Sequence, residues 1–209
     1  MKFIDQTFEI LDYVNGNEIL EKIELCGRVC YKSENKITPG SAEKFVKSII
    51  ESGHESVLEH VNLSVRVITD RGVSHEIVRH RIASYSQEST RYANYSKEKF
   101  KSEITYINPI DFTIDKEGKE LLENIERYYI QNTLTKKLTP QQARYFLPNG
   151  LKTEIIMTMN LREWRHFFKL RTSKKAHPQM RALVSEILLK FKKKIPIVFD
   201  DIEGALKRH

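Results

Sequence analysis

The sequence is poor in the residues that build the familiar cradles for phosphates and metals. Its eight glycines are dispersed, and the nearest pair, Gly16 and Gly27, lies eleven positions apart, so neither G-x-G-x-x-G nor G-x-x-x-x-G-K-[ST] can occur. A bound phosphate or dinucleotide must therefore be held by side chains, helix N-termini and ordinary loop amides. Cysteine is scarcer still. Cys26 and Cys30 are spaced i, i+4, which matches neither a C-x-x-C redox pair nor a zinc motif and predicts packing on one helix face with Ile19 and Ile23. No stretch approaches the ~20 apolar residues of a membrane span, and the opening MKFIDQTFEI lacks the apolar core of a signal peptide. A soluble, cytoplasmic protein with no membrane partner is expected.

What is present is positive charge. The 35 Lys and Arg against 28 Asp and Glu leave +7, which favours anionic partners without the charge blocks of nucleic-acid tails. Phosphorylated small molecules and RNA both fit that balance. At 209 residues the chain suits one domain, 1–209, burying roughly 70% of the surface its unfolded form exposes.

Along the chain, FIDQTFEILDYV reads as an edge or hairpin strand. Helices are expected from about Asn17 to Lys32 and from Pro39, behind Thr38, to a stop at Gly53, the latter with Ala42, Phe45, Val46, Ile49 and Ile50 on one stripe. VNLSVRVI alternates as a half-buried antiparallel strand, Asp70-Arg71-Gly72 reads as a turn, and a short helix runs from Val73 to about Arg81 with Asp70 or Ser74 as its cap. Residues 93–116 read as a loop, mobile or lid-like. An amphipathic helix over about Glu117 to Lys136, with Leu121, Ile125, Tyr128 and Tyr129 apolar, precedes Thr139-Pro140-Gln141-Gln142, which has capping-box chemistry and leads into Arg144. LKTEIIMTMN reads as a strand, followed by helices at about Leu161 to Thr172 and Pro178 to Lys194. The order predicts an α+β domain, a largely antiparallel central sheet flanked by helices.

Charge is concentrated in RHRIASYSQESTRY, Arg79 to Tyr92, where Arg79, Arg81 and Arg91 face the single carboxylate of Glu88. Ser89, Thr90 and Arg91 offer hydroxyls, amides and a guanidinium together, a chemically complete phosphate site, each charge-assisted bond contributing about 1.5–3 kcal/mol. From the residues alone a solvated basic loop explains the stretch equally well. In GHESVLEH, His54 and His60 lack the i, i+4 spacing of a zinc helix and the nearby arginines repel a divalent cation, so no metal is expected and the histidines read as capping or ligand-facing. In NLREWRHFFKLR, Trp164, Phe167, Phe168 and Arg171 share a helical face, with Arg162 and His166 on a neighbouring one. Arg171 is then either a snorkelling side chain or a guanidinium held rigid beside a planar ligand.

Arg79-His80-Arg81 followed by seven residues and Ser89 forms an RHRx7S signature, and its surroundings resemble the flavin-dependent thymidylate synthases. GHESVLEH resembles that family's GHxSxxEH segment and ARYFLP its AR-x-x-LP segment, and NLREWRHFFKLR followed by HPQ is similar to its closing block. The likeness runs in the family's order from about His54 to Arg181. It departs from the pattern at Glu76, where glutamine is common, at Ser86-Gln87, where Asn-Glu is frequent, and in a longer spacing from Arg171 to His177.

The resemblance implies conversion of dUMP to dTMP with methylenetetrahydrofolate as carbon donor and NADPH as reductant through FAD, without a cysteine nucleophile. It implies flavin contacts at Ser56, Arg79, His80, Arg81, Gln87, Asn160, Arg162 and His166. For dUMP the matching positions are Ser89, Thr90, Arg91 and Arg144 around the phosphate, Glu76, Arg79 and Gln87 near the phosphate or sugar, and Arg171 at the uracil. His54, Tyr92 and His177 border the folate and nicotinamide side, and Arg171, Ser89 and His54 stand nearest the chemistry. A homotetramer with shared active sites is also implied. The competing reading is a basic nucleic-acid-binding module, resting on the run Lys190 to Lys194 and the tail Lys207-Arg208-His209; Lys190 to Lys194 equally suits the C-terminal end of a helix dipole.

Overall fold

A computed structural model describes residues 1–204, so the basic tail Lys207-Arg208-His209 lies outside the described residues. The chain groups into two compact units. One holds Met1–Thr7, Arg66–Arg79 and Tyr85–Ile156; the other holds Phe8–Val65, His80–Ser84 and the chain from Met157 onward. Strands β1 (Lys2–Ile4), β2 (Thr7–Ile10), β3 (Asn62–Asp70), β4 (Ser84–Gln87), β5 (Thr105–Ile107) and β6 (Lys152–Asn160) give the expected α+β architecture. Four of them form an antiparallel sheet in the order β2-β3-β6-β4, while β1 and β5 pair in parallel.

The N-terminal segment is not a hairpin. β2 edges the four-stranded sheet, whereas β1 sets Lys2, Phe3 and Ile4 opposite Thr105, Tyr106 and Ile107. The intervening Asp5 and Gln6 accept hydrogen bonds from the side chains of Asn108 (2.6 Å) and Thr69 (3.3 Å), which pins the crossing between the sheets.

β3 and β6 alternate as their sequences predict. Leu63, Val65, Val67 and Thr69 are buried on one strand, and Thr153, Ile155, Met157 and Met159 on the other. Each strand passes directly into a helix whose N-cap is the last residue of the strand. Asp70 accepts from the amide of Val73 (2.7 Å) to open α3 (Arg71–Ile77), and Asn160 accepts from that of Glu163 (2.9 Å) to open α6 (Leu161–Arg171). The expected turn at Asp70-Arg71-Gly72 is therefore the first turn of a helix. That helix ends at Ile77 rather than near Arg81, so Arg79, His80 and Arg81 lie in the connection to β4.

β4 itself falls where a loop was expected. Its side chains make polar contacts: the Tyr85 hydroxyl donates to the Ile77 carbonyl, and Gln87 Nε2 to Ser74 Oγ (2.8 Å) and Thr153 Oγ1 (3.2 Å). A strand held this way leaves no apolar alternation in the sequence.

In the first unit, Ala93, Tyr95, Ile104, Tyr106, Tyr129, Ala143 and Leu151 form a buried cluster. Residues 93–116, expected as a free loop or lid, thus supply core side chains and a strand; Tyr129 donates its hydroxyl to the Ala93 carbonyl. On α4 (Lys116–Leu134) the buried positions are Tyr129, Asn132 and Thr133, while Leu121 and Tyr128 are exposed, because the helix packs along a line rotated from the predicted stripe. Before α5 (Pro140–Ala143), Thr139 and Gln142 form the predicted capping box. Arg144 caps the end of that helix and opens a short 3₁₀ turn.

In the second unit, Trp164, Phe167 and Phe168 of α6 pack with Phe191 of α7 (Pro178–Lys194) and with Phe199. The Trp164 indole donates to the Leu63 carbonyl (3.1 Å). Helices α1 (Gly16–Cys30) and α2 (Ser41–Glu51) meet at Gly27, where a Cβ would lie 2.6 Å from the Phe45 ring. α1 buries Leu20, Ile23, Glu24 and Gly27, which leaves Cys26 half-exposed and Cys30 exposed: the expectation that both cysteines pack in the core is corrected. The buried Glu24 is held by Arg28 (2.9 Å) and by the Ser41 hydroxyl (2.7 Å), so the helix face in contact is centred on a carboxylate that hydrophobic spacing could not locate. α2 begins two residues later than predicted because Gly40 is left-handed (φ 79°). Gly53 (φ 71°) follows its end, as expected of a C-terminal glycine. None of the described helices is long and apolar enough to cross a membrane.

Candidate functional site

A buried polar cluster of the second unit lies around His80. The imidazole is buried (5% exposed), its Nε2 accepts from Arg171 Nε (3.0 Å), and its Nδ1 lies 3.3 Å from the carboxylate of Glu163, itself 7% exposed. An arginine Nε–H can only donate, so His80 Nε2 is the unprotonated nitrogen and Nδ1 carries the hydrogen given to Glu163. The Phe167 ring packs edge-on at 4.8 Å and the His166 ring at 5.9 Å. Burial, then the Arg171 charge and His166, lower the His80 pKa from 6.5 to about 4, so the ring is neutral near pH 7. Burial raises that of Glu163.

His80, Glu163 and His166 place possible ligand atoms within 4.8 Å of one another. With the Nδ1 hydrogen directed at Glu163 and a guanidinium beside the ring, this is a hydrogen-bonded chain, and a cation there would have to displace a proton next to a fixed positive charge.

One cleft of the second unit is lined by cluster residues, and a second shares its Glu55 and Arg162 walls. One, about 500 Å³, is lined by Ile82, Asn160, Glu163, His166 and Lys169; the other, about 350 Å³, by Tyr31, Phe45, His54, Ser56 and Cys30. Arg162 Nη1 donates to Glu59 (2.6 Å). Glu55, on the wall of both clefts, is held by the fully buried Arg165, which also binds Asp201 (2.7 Å). Asp201 is held below the usual carboxylate range by the Arg165 hydrogen bonds.

The first unit carries a separate cleft of about 530 Å³ lined by Gln87, Ser89, Tyr92, Lys99, Phe100 and Lys152. Lys152 pairs with Glu88 (2.8 Å), which also accepts from the Tyr95 hydroxyl. Ser89 Oγ accepts from the Arg91 amide (3.3 Å), Thr90 is buried, and Arg91 donates from Nε to Gln141 (2.9 Å). Arg144 and Tyr92 are exposed and Glu76 is half-buried.

The predicted site residues thus fall into two groups. His54, Ser56, His80, Asn160, Arg162, His166 and Arg171 belong to the second unit; Gln87, Ser89, Thr90, Arg91, Tyr92 and Arg144 to the first. Arg79 and Arg81 are exposed on either side of buried His80. The exposed His177 caps α7, its Nδ1 accepting from the Gln179 amide (3.2 Å). Lys192, Lys193 and Lys194 occupy the last turn of α7, where they complement its dipole. Sequence reasoning missed Glu163. An acid three residues after Asn160 looks like helix-opening chemistry, and nothing local shows that it lies under a histidine eighty-three positions earlier.

The family model described as thymidylate synthase complementing protein matches residues 9–197. A flavin-dependent thymidylate synthase of Mycobacterium avium is 34% identical over 88% of this chain and 79% of its own length; one of Pyrococcus furiosus is 34% identical over 88% and 75%. Among solved structures, thymidylate synthase X of Helicobacter pylori with FAD and dUMP aligns with a TM-score of 0.77 at 21% identity, covering 94% of this chain and 98% of that one. A UMP/dUMP methylase of Streptomyces cacaoi bound with 5-Br dUMP aligns at 0.72 and 20%, covering 96% of each. These two establish likeness of fold. With nearly the whole chain inside the family model and relatives above 30% identity across most of their length, this chain belongs to the family of the flavin-dependent thymidylate synthases.

Proposed function

We propose that the chain, acting as one catalytic domain, converts dUMP to dTMP with FAD, taking carbon from methylenetetrahydrofolate and reducing equivalents from NADPH, in the cytoplasm and as a homotetramer with shared sites. The observation that carries this reading is Arg171, a guanidinium fixed by a neutral buried histidine. Family membership and the dUMP or 5-Br dUMP carried by the two similar structures support it.

The clefts of the second unit fit a flavin nucleotide by their donor set. Tyr31, Phe45 and Ile49 supply a flat apolar wall, Ser56 and His166 hydrogen-bonding groups, and Arg162 a cation toward phosphate. Asn160, His80 and Arg81 of the same unit complete the proposed set there; Arg79 and Gln87 are proposed as flavin contacts on the family resemblance alone. When bound, FAD supplies the redox chemistry.

The chain's own task is to bind and polarise the pyrimidine. Uracil C5 is a weak carbon nucleophile whose reactivity rises as the ring takes on enolate character, with negative charge on a ring carbonyl oxygen; the Arg171 guanidinium stabilises that oxygen. Losing one such donor typically costs about 10²–10³ in rate. Ser89, Thr90, Arg91 and Arg144 hold the phosphate, with Glu76, Arg79 and Gln87 near the phosphate or sugar. His54, Tyr92 and His177 line the folate and nicotinamide side. The turn at Ser89, whose hydroxyl already accepts from the Arg91 amide, suits anion binding better than nucleophilic attack.

Release of tritium from dUMP labelled at C5, with FAD, NADPH and methylenetetrahydrofolate supplied and each omitted in turn, tests the reading. Release that requires all three supports it. No release from folded protein returns the arginines to a general anion surface.

A further inference from the structure

We propose that Glu163 is a positioning residue for this reaction: through His80 it holds the guanidinium of Arg171, so that the buried chain Glu163–His80–Arg171 sets where the charge points. The inference rests on the proposed assignment of Arg171 to the pyrimidine.

Three observations carry it. Glu163 and Arg171 sit eight residues apart on α6, about 12 Å along its axis, and His80 spans the interval from another part of the chain. Each role in the chain is forced: the guanidinium only donates, the carboxylate only accepts, and the imidazole between them must therefore be neutral with its hydrogen at Nδ1. The ends and the middle are fixed as well. Asn160 binds the Glu163 amide at the strand-to-helix junction, and Phe167 packs edge-on against the His80 ring.

An arginine side chain has rotamer entropy to lose, and a guanidinium tethered beforehand at Nε meets its ligand with Nη1 and Nη2 already directed. Removing Glu163 deletes the acceptor that selects the Nδ1–H tautomer. His80 can then place its hydrogen on Nε2, where it faces the Arg171 Nε–H, and the guanidinium is turned away. His80 and Glu163 need not touch the substrate for this.

The test uses the full chain labelled with ¹⁵N-histidine. Imidazole ¹⁵N shifts at neutral pH are expected to show His80 as the Nδ1–H tautomer in the parent protein. Glu163→Met, of similar length without an acceptor, should mix the tautomers, and Glu163→Ala serves equally if Met does not fold. In turnover with dUMP, loss of the acceptor is expected to lower kcat tenfold or more with little change in KM. Glu163→Gln, whose amide oxygen accepts the same hydrogen, should restore the tautomer and most of kcat. Combined with Arg171→Lys, the Glu163 change should slow the enzyme no further than Arg171→Lys alone. A parent His80 protonated at Nε2, a tautomer indifferent to Glu163, or losses that multiply in the double variant would overturn the proposal. The tautomer is read without turnover, so an inactive parent protein would sink the assigned reaction and leave the hydrogen-bonded chain to be judged on its own.

Discussion

Arg162 reaches Glu59 with Nη1 at 2.6 Å, on the wall common to the two clefts of the second unit. Both side chains are about half exposed, so the pair contributes little and an anionic ligand can replace the carboxylate. Glu59→Gln is therefore expected to tighten FAD by up to about fivefold. Arg162→Ala should weaken it, and raising salt should shrink both effects. Fluorescence titration of FAD at two ionic strengths measures this; tighter binding by Arg162→Ala would remove Arg162 from the flavin site.

Arg171→Ala should fold, because the side chain is only half-buried at the end of α6, and lose about 10²–10³ in kcat. Arg171→Lys should recover little of it, since a lysine cannot offer both a donor to His80 Nε2 and a planar fork to a carbonyl. Arg171→Ala should also raise the His80 pKa, because the Arg171 charge is, after burial, the largest influence lowering it, whereas Arg171→Lys keeps that charge and should raise it less. Full activity in Arg171→Ala would end its assignment to the pyrimidine.

The lowered pKa of His80 also predicts how stability depends on pH. The unfolded chain takes up the His80 proton near pH 6.5, the folded chain only near pH 4. Between those values the unfolded state binds more protons, so stability falls as pH drops from 6.5 to 4, by about 3 kcal/mol from this group. Below pH 4 the loss from His80 is complete. The charged and titratable groups around the ring are Glu163, His166 and Arg171, and after burial Arg171 and then His166 oppose its protonation. Urea unfolding at pH 7.5, 5.5 and 4.5 should show the decline in the parent protein and a flatter profile in His80→Gln.

Much of this was legible from one sequence, for identifiable reasons. β3 and β6 alternate strictly, α7 begins at the proline and ends at the lysines that mark it, and the capping box at Thr139 and Gln142 forms as written. Misreadings arose where polar residues do structural work. β4 is held by Tyr85 and Gln87, the α1 contact by Glu24, and the His80 cluster by Glu163, and in each case the partner is distant in sequence or carries no apolar period. The RHR motif predicts three ligand contacts, and the structure adds what the motif does not show: its central residue is buried and bonded to the protein at both nitrogens, with Arg79 and Arg81 outward. Spacing within a motif shows which residues travel together; it does not show which of them face inward.

Ser89 discriminates between two kinds of chemistry on the same motif. A nucleophilic serine needs a base within about 3.2 Å of its hydroxyl. Here the hydroxyl oxygen accepts from the Arg91 amide in a tight turn, and the carbonyl of Ser89 accepts from the amides of Tyr92 (3.0 Å) and Ala93 (2.8 Å), which makes the segment a structured loop carrying a guanidinium at its bend. Ser89→Ala removes one hydroxyl from that loop and leaves its backbone bonds in place. The expected outcome is weaker dUMP binding, about tenfold in KM for one charge-assisted hydrogen bond, with kcat reduced much less. A nucleophile would behave in the opposite way: kcat would vanish while dUMP still bound, and no increase in substrate would restore it. Steady-state kinetics over a wide range of dUMP concentration separates the two, and a dead enzyme that retains full dUMP affinity would transfer Ser89 from the phosphate site to the reaction itself.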